Sequence, residues 1–313
     1  MGNGKILITD GLNDKGQAIL SEAFAVEDHT GIAVDELIKI VGDCSALIVR
    51  GRTKVTTAVF EAAPNLKVVG RAGVGVDNID LAAAQSKGVT VVNAPTATTI
   101  AVAEHTLAMM LSLIRHVPRS DATMKSGLWE KKKLVGSELN GKTLGIIGIG
   151  NIGSGVAQRA AAFGMDILGY DPFLSKEQIT ERGAEAVSLN DLYARSDFIS
   201  LHIPLSPQTR NLIDGQAIGH MKRGVYLICA ARGGVIDETA LLNALESGQV
   251  AGTALDVFTT EPPGLTALVA HPNVVATPHI GAQTVEAQVR AAVDIAEEVL
   301  AALKGEPLRW KIV

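Results

Sequence analysis

The stretch TLGIIGIGNIGSGVAQRAAAFG (143–164) constrains the fold more than any other. An apolar strand-like run, LGII, leads straight into Gly148, Gly150 and Gly153, and a helix-like segment follows without a break. Strand, glycine turn and helix in that order open a dinucleotide-binding unit. The first glycine permits the tight turn, the second lets backbone approach a pyrophosphate with no Cβ in the way, and the third lets helix and strand pack closely. The helix N-terminus then offers unpaired N–H groups and a positive dipole end to the phosphates. A second strand-like run, DILGYD, ends in Asp171, 18 residues after Gly153. An acid there accepts hydrogen bonds from both ribose hydroxyls and repels a 2′-phosphate, so NAD is expected rather than NADP. The plain alternative, a glycine turn with Asp171 as a helix cap, needs strand, turn, helix and acid to coincide by chance.

The rest of the chain fits that start. Strand-like runs at 5–10, 45–50, 66–71 and 89–94 alternate with helical segments near 14–23, 34–41, 56–63 and 78–87. This beat predicts a small doubly wound unit of short parallel strands, five in number, one more than these four runs. A long apolar-periodic helix is expected over 100–117, ending before Pro118. A polar stretch, 125–140, follows, with Trp129 and the run Lys131, Lys132, Lys133. After Gly141 the alternation resumes, with further strands at 197–203, 225–230, 251–257 and 273–277 and a last helix from 284 to 303. At 313 residues the chain has room for two domains. Its 47% apolar content, 32 glycines and 4% aromatics suit parallel cores built from Val, Ile, Leu and Ala. A net charge of −5 excludes nucleic-acid binding as a bulk electrostatic property. Cys44 and Cys229 are too few for a disulfide framework or a cysteine metal site, so no metal is expected. No signal peptide, acylation signal or membrane-spanning run is read, and the expectation is a soluble cytoplasmic protein.

Three chemically capable residues lie beyond the cofactor turn: Arg232 in AARGGVIDE, Glu261 in TTEPPG and His279 in TPHIGA. Arg232 and His279 each follow an expected strand, and Glu261 sits in the loop beyond another. Ligands of open α/β sheets bind outside the carboxyl ends of strands, so the three are expected in one crevice. An arginine clamps a carboxylate through two N–H groups. A histidine takes or returns a hydroxyl proton, and a neighbouring carboxylate fixes its orientation. Together with NAD, this set supports interconversion of a 2-hydroxy acid and a 2-keto acid. Each residue alone has a blander role, as turn cap, solvated acid or core histidine; their company with a dinucleotide motif favours chemistry.

The segments GRAGVGVDNIDL (70–81), WEKKKLVGSELNGKTLGIIGIGNIG (129–153), GYDPF (169–173), CAARGGVIDE (229–238), GTALDVFTTEPP (252–263) and PHIGA (278–282) carry a resemblance over nearly the whole chain. By them the chain resembles the D-isomer-specific 2-hydroxyacid dehydrogenases. The resemblance implies an α/β protein of two doubly wound parallel-sheet domains, a Rossmann NAD-binding domain (95–283) inserted into a flavodoxin-like substrate domain (1–94 plus 284–313). It implies His279 as acid/base, Glu261 as its partner and Arg232 on the substrate carboxylate. Backbone N–H groups of Val74 and Gly75 would add an anion nest, and Arg50 and Arg71 would face a phosphorylated substrate. For the cofactor it implies Asn151 and Ile152 on the pyrophosphate, and Ile203, Pro204, Thr209 and Ala230 along the adenosine and nicotinamide ribose. Asp256 would meet the nicotinamide carboxamide, and Val74, Gly281 and Ala282 also match cofactor positions.

The same resemblance implies a small anionic 2-hydroxy or 2-keto acid as substrate, 3-phosphoglycerate first, with glyoxylate or hydroxypyruvate as the alternative. It implies a homodimer, or a tetramer, built through helix 97–117 and the stretch after it. It implies closure of one domain on the other. A non-enzymatic NAD-sensing corepressor is the alternative of a different class. No nucleic-acid or membrane partner is expected, nor serine feedback through a domain beyond Val313.

Overall fold

Short runs of Val, Ile, Leu and Ala between glycine turns bury well as parallel strands covered on both faces, because such strands have no polar face to keep wet. The structure, a computed structural model, describes residues 4–313 and contains two such sheets. The chain forms two compact units: the segment up to Thr98 together with Gln283–Val313, and Thr99–Ala282. The first crossing thus falls four residues past position 94. Ala97 packs with Ala94 and Ala291, and its carbonyl accepts from Arg290 Nε at 2.9 Å, so segment 95–98 stays with the first unit.

The first unit holds β1 (Lys5–Ile8), β2 (Ala25–Asp28), β3 (Cys44–Val49), β4 (Val68–Arg71) and β5 (Thr90–Asn93). They run parallel in the order β2-β1-β3-β4-β5, the flavodoxin-like arrangement. The second unit holds β6 (Thr143–Ile147), β7 (Asp166–Tyr170), β8 (Glu185–Ala186), β9 (Phe198–Leu201), β10 (Val225–Cys229), β11 (Val250–Leu255) and β12 (Val274–Ala276). Their order is β12-β11-β10-β9-β6-β7-β8, again all parallel. Counted from β8, this is the Rossmann order with β12 added at the far edge.

Neighbouring residues of one strand serve opposite faces. Leu47 and Val69 sit in one apolar cluster, Ile48 and Val68 in another. Ile147 and Ile199 sit in one, Ile146 and Phe198 in another. Each such side chain contributes about 1.5–3 kcal/mol on burial.

Three features differ from the sequence pattern. The fifth strand of the first unit is β2, AVED, an edge strand with three of its four residues exposed, so it carries no apolar signal. The long helix stops at Ile114 rather than 117. His116 takes a left-handed φ of 53°, and Pro118 opens a second helix, Val117–Lys125, in its first turn, where a missing N–H costs nothing. The chain end folds back on β5: Ile312 N–H donates to Val91 O at 2.8 Å, and the buried Glu298 accepts from Arg309 Nε at 2.7 Å and from Trp310 N–H at 3.1 Å. Cys44 and Cys229 are unpaired and buried. Among the described residues, no single helix is long and apolar enough to cross a membrane.

Candidate active site

The glycine turn follows β6, at the point where the sheet order reverses. Gly148 has φ 92°, and a Cβ on it would meet the His202 carbonyl and Ile203 Cγ2. A Cβ on Gly153 would collide with the Gly148 carbonyl. Both are therefore held to glycine by the fold itself. Gly150 is different: it caps helix Asn151–Ala162 with no side-chain bond, and a Cβ there would have nothing within 4 Å. Open space before an uncapped helix N-terminus is what a pyrophosphate needs, so these residues fit NAD. Asp171 follows β7. One of its oxygens accepts from Ile149 N–H and the other from Phe173 N–H, each at 3.0 Å. It thus secures the turn and keeps acceptor capacity for ribose hydroxyls. Ile203 and Pro204 lie in the loop after β9, where the Thr209 hydroxyl donates to Pro204 O at 2.6 Å, and Ala230 directly follows β10.

The catalytic candidates stand on loops after β10, β11 and β12. His279 Nδ1 lies 2.7 Å from Glu261 Oε2, and Glu261 Oε1 accepts from Phe258 N–H at 3.1 Å. A carboxylate only accepts, so Nδ1 carries the proton of that bond and Nε2 is left for proton exchange. The imidazole and carboxylate side chains are 51% and 36% exposed, so the pair is open to a ligand. Arg232 sits in the loop after β10, with Nη1 donating to Ala231 O at 2.7 Å. Gly233 packs directly on the Phe258 carbonyl, where a Cβ would collide. The Arg232 loop and the loop that ends in Glu261 are thus brought together backbone to backbone.

Asp256 is 1% exposed. Its Oδ1 accepts from Thr277 Oγ1 at 2.5 Å, Ile280 N–H at 2.8 Å and His105 Nε2 at 3.3 Å, and its Oδ2 from Gly281 N–H at 2.8 Å. Burial alone would raise this carboxyl; the His105 and Thr277 bonds and the two N–H groups outweigh that and hold it below the usual carboxylate range. Ala282 closes the same loop. Sequence reasoning missed His105 and Thr277, and no local pattern marks them.

Arg50, Arg71, Val74 and Gly75 belong to the first unit. Arg50 follows Val49, which pairs with Arg71, so the two arginines leave neighbouring strands at their carboxyl ends. Arg71 lies against Gly73, where a Cβ would collide with the guanidinium. Among the described residues, the N–H groups of Val74 and Gly75 donate to no protein group. Burial pulls the Arg50 guanidinium below its ordinary value, while Asp10 pushes it back. Asp10, also missed from sequence, accepts from Arg50 N–H at 2.8 Å, Thr53 N–H at 3.0 Å and Thr53 Oγ1 at 2.6 Å. Burial raises that carboxyl too, but the Thr53 and Arg50 bonds and the Arg52 charge bring it below the carboxylate range. No group of three or more His, Cys, Asp or Glu could hold a metal among the described residues.

This fold and its glycine turn define a dinucleotide-binding α/β class. Residues 107–281 match the family model of the D-isomer specific 2-hydroxyacid dehydrogenase NAD binding domain, and the chain belongs to that family. It is 49% identical over 303 residues to a D-3-phosphoglycerate dehydrogenase of Methanocaldococcus jannaschii, an alignment covering 96% of this chain and 58% of the relative. The chain thus spans about half the length of the curated relatives it matches. Among solved structures, it resembles a glyoxylate reductase from Paecilomyes thermophila (30% identity, TM-score 0.91, 100% of this chain and 99% of that one). It also resembles a D-lactate dehydrogenase from Aquifex aeolicus complexed with NAD and lactic acid (33% identity, TM-score 0.84, 96% of each chain).

Proposed function

We propose that this chain catalyses the NAD-dependent interconversion of a D-2-hydroxy acid and its 2-keto acid, with 3-phosphoglycerate and 3-phosphohydroxypyruvate as the pair. The observation that carries the reading is the 2.7 Å His279–Glu261 bond beside the Arg232 loop, on the same sheet as the cofactor turn. When bound, NAD supplies the hydride acceptor for C2 of the substrate. Gly148, Gly150, Asn151, Ile152 and Gly153 hold its pyrophosphate; Asp171 takes the ribose hydroxyls. Ile203, Pro204, Thr209 and Ala230 line its length. The carboxamide contact falls to Asp256 Oδ2, which holds one protein donor, with Gly281 and Ala282 alongside.

On the second unit, Arg232 clamps the substrate carboxylate; on the first unit, the N–H groups of Val74 and Gly75 are anion donors. Arg50 and Arg71 take the phosphate, giving an acidic chain the local cations that an anionic substrate needs. Neutral His279 removes the C2 hydroxyl proton through Nε2. The imidazolium keeps its Nδ1–H on Glu261, whose charge stabilises it. In reduction His279 starts protonated and returns the proton.

The test is steady-state turnover with NADH on 3-phosphohydroxypyruvate, hydroxypyruvate and glyoxylate, for the wild type and His279→Ala. The reading expects the phosphorylated acid to lead in kcat/KM and the variant to lose about 10²–10⁴-fold in kcat. Preference for glyoxylate or hydroxypyruvate makes the chain a reductase of small 2-keto acids. NADH binding without turnover on any of them makes it a sensor. The same reading takes the chain as cytoplasmic and as a homodimer. In support, Val117, Met124, Leu128, Trp129 and Val135, in and just after helix Val117–Lys125, are each more than half exposed. Light scattering at micromolar concentration checks the dimer, and a monomer there ends it.

A further inference from the structure

His105 lies in helix Thr99–Ile114, and none of the roles above uses it. Its side chain is 17% exposed, and its Nε2 sits 3.2 Å from Thr277 Oγ1 and 3.3 Å from Asp256 Oδ1. The Thr277 hydroxyl has one hydrogen, and the carboxylate at 2.5 Å takes it. The lone pairs of Thr277 therefore face His105. Nε2 carries the hydrogen and donates to this oxygen pair.

Asp256 in turn holds the backbone that carries His279. It accepts the N–H groups of Ile280 and Gly281, the two residues directly after the histidine. On the other side, His279 N–H donates to Thr277 O at 3.0 Å. Residues 277–281 thus wrap the buried carboxylate, with His279 at the apex of the wrap. His279 has φ 54°, a left-handed conformation that a side-chain-bearing residue keeps only where its surroundings hold it. The holding groups are the Asp256 oxygens, and His105 and Thr277 are the side chains that fix those oxygens.

We propose that His105 is a positioning residue for the acid–base step: acting through Asp256, it fixes the backbone at 279–281 so that the His279 imidazole meets Glu261 and the substrate in one orientation. The inference rests on His279 being the acid/base. It assigns His105 no contact with substrate or cofactor. Loosening it lowers kcat by more than it weakens the binding of either ligand, since Asp256 also takes the carboxamide contact.

The experiment compares the wild-type chain with His105→Gln and His105→Leu. The glutamine Nε2 reaches where the imidazole Nε2 does and still donates; leucine fills the space without a donor. Read out are kcat and KM for the favoured 2-keto acid, Kd for NADH, and amide hydrogen exchange at Ile280 and Gly281. In His105→Leu, kcat is expected to fall by at least about tenfold, the size of one lost hydrogen bond to a charged group. KM should stay within about threefold, Kd for NADH should rise by less than kcat falls because Asp256 Oδ2 also meets the carboxamide, and exchange at both amides should rise. His105→Gln is expected to restore kcat and protection. Should the leucine variant not fold, His105→Asn, too short to reach Thr277, takes its place with the same expectations. Unchanged kcat in the donor-free variant, a glutamine variant as poor as leucine, or a loss confined to NADH affinity each overturns the proposal. Failure of the acid–base reading shows separately, as a wild type that turns over no 2-keto acid, and the amide exchange is measured without turnover.

Discussion

Gly148 and Gly150 stand two residues apart in one turn, yet the same added methyl group has opposite meanings at each. At Gly150 the backbone has φ −73°, which any residue adopts, and no protein atom lies within 4 Å of a Cβ. Gly150→Ala therefore costs the fold only the difference between glycine and alanine as helix caps, on the order of 0.5–1 kcal/mol. That lowers the melting temperature by about 1–4 °C for a domain of this size. The methyl does enter the space before the helix N-terminus. Displacing a pyrophosphate oxygen from one charge-assisted N–H bond costs about 1.5–3 kcal/mol, or about 10–150-fold in Kd. At Gly148 the left-handed φ of 92° alone costs an alanine about 1–2 kcal/mol. Its Cβ would also lie 2.5 Å from His202 O and 2.8 Å from Ile203 Cγ2. Gly148→Ala should therefore lose stability first. The assay is thermal melting without cofactor beside NADH titration by fluorescence. Gly150→Ala is expected to melt near the wild type and bind NADH at least about tenfold more weakly; Gly148→Ala is expected to melt clearly lower. A Gly150→Ala protein that binds NADH as the wild type does would falsify the seating of the pyrophosphate in this turn.

Glu261→Gln removes the charge that holds the Nδ1–H of His279 and lets an amide N–H face that nitrogen. Stopped-flow single turnovers are expected to slow by at least about 10²-fold, with NADH affinity unchanged; a rate within threefold of the wild type refutes the pair. Burial pushes the His202 imidazole from its ordinary 6.5 down to about 4. Between those values the unfolded chain binds one proton that the folded chain does not, so stability falls as pH drops, by up to about 1.4 kcal/mol per pH unit. Urea unfolding at pH 7 and pH 5 should show this loss in the wild type and not in His202→Gln; equal losses in both contradict it. Asp10→Ala releases the donors of Arg50 and Thr53. KM for the phosphorylated acid is expected to rise about tenfold while NADH Kd holds, and a matching change in NADH Kd counts against the role given to that loop.

The cofactor turn was legible in the sequence because its glycines answer contacts within a few residues of one another: Gly153 lies on the Gly148 carbonyl. The pairing of Glu261 with His279 was legible as chemistry, and their meeting followed from both lying beyond strand ends. What stayed hidden has physical causes. β2 is an exposed edge strand and shows neither alternation nor an apolar run. Pro118 reads as a stop when it is in fact the first turn of another helix, since the residue that breaks a helix interior is welcome at its start. His105 and Thr277 are 172 residues apart, and their bond answers to no period in the chain. The resemblance marks Asp256 as a cofactor contact, but not its hold on the Ile280 and Gly281 N–H groups, nor that of Asp10 on Arg50 and Thr53, because nothing local marks a carboxylate that gathers a distant loop.

The spacing of the catalytic groups is set by the sheet more than by the loops. In β10, β11 and β12, Cys229 pairs with Leu255 and Leu255 with Ala276, so three parallel strands end level. Adjacent strands lie about 4.8 Å apart, and the loops carrying Arg232, Asp256 and Thr277 therefore begin side by side at that interval. The level ending depends on an irregularity at the other end of the ladder. Val225 pairs with Val250 but Tyr226 with Gly252, so Ala251 is an extra residue in β11. Were the ladder to run regularly from the Val225–Val250 pair with the same residues, Cys229 would face Ala254. Leucine 255 would then stand in the ladder where Asp256 now stands, its N–H bonded to Cys229 O at 2.9 Å. An apolar side chain would replace the carboxylate that holds the N–H groups of Ile280 and Gly281. A one-residue bulge thus determines, five residues downstream, which side chain leaves the sheet to organise the histidine loop.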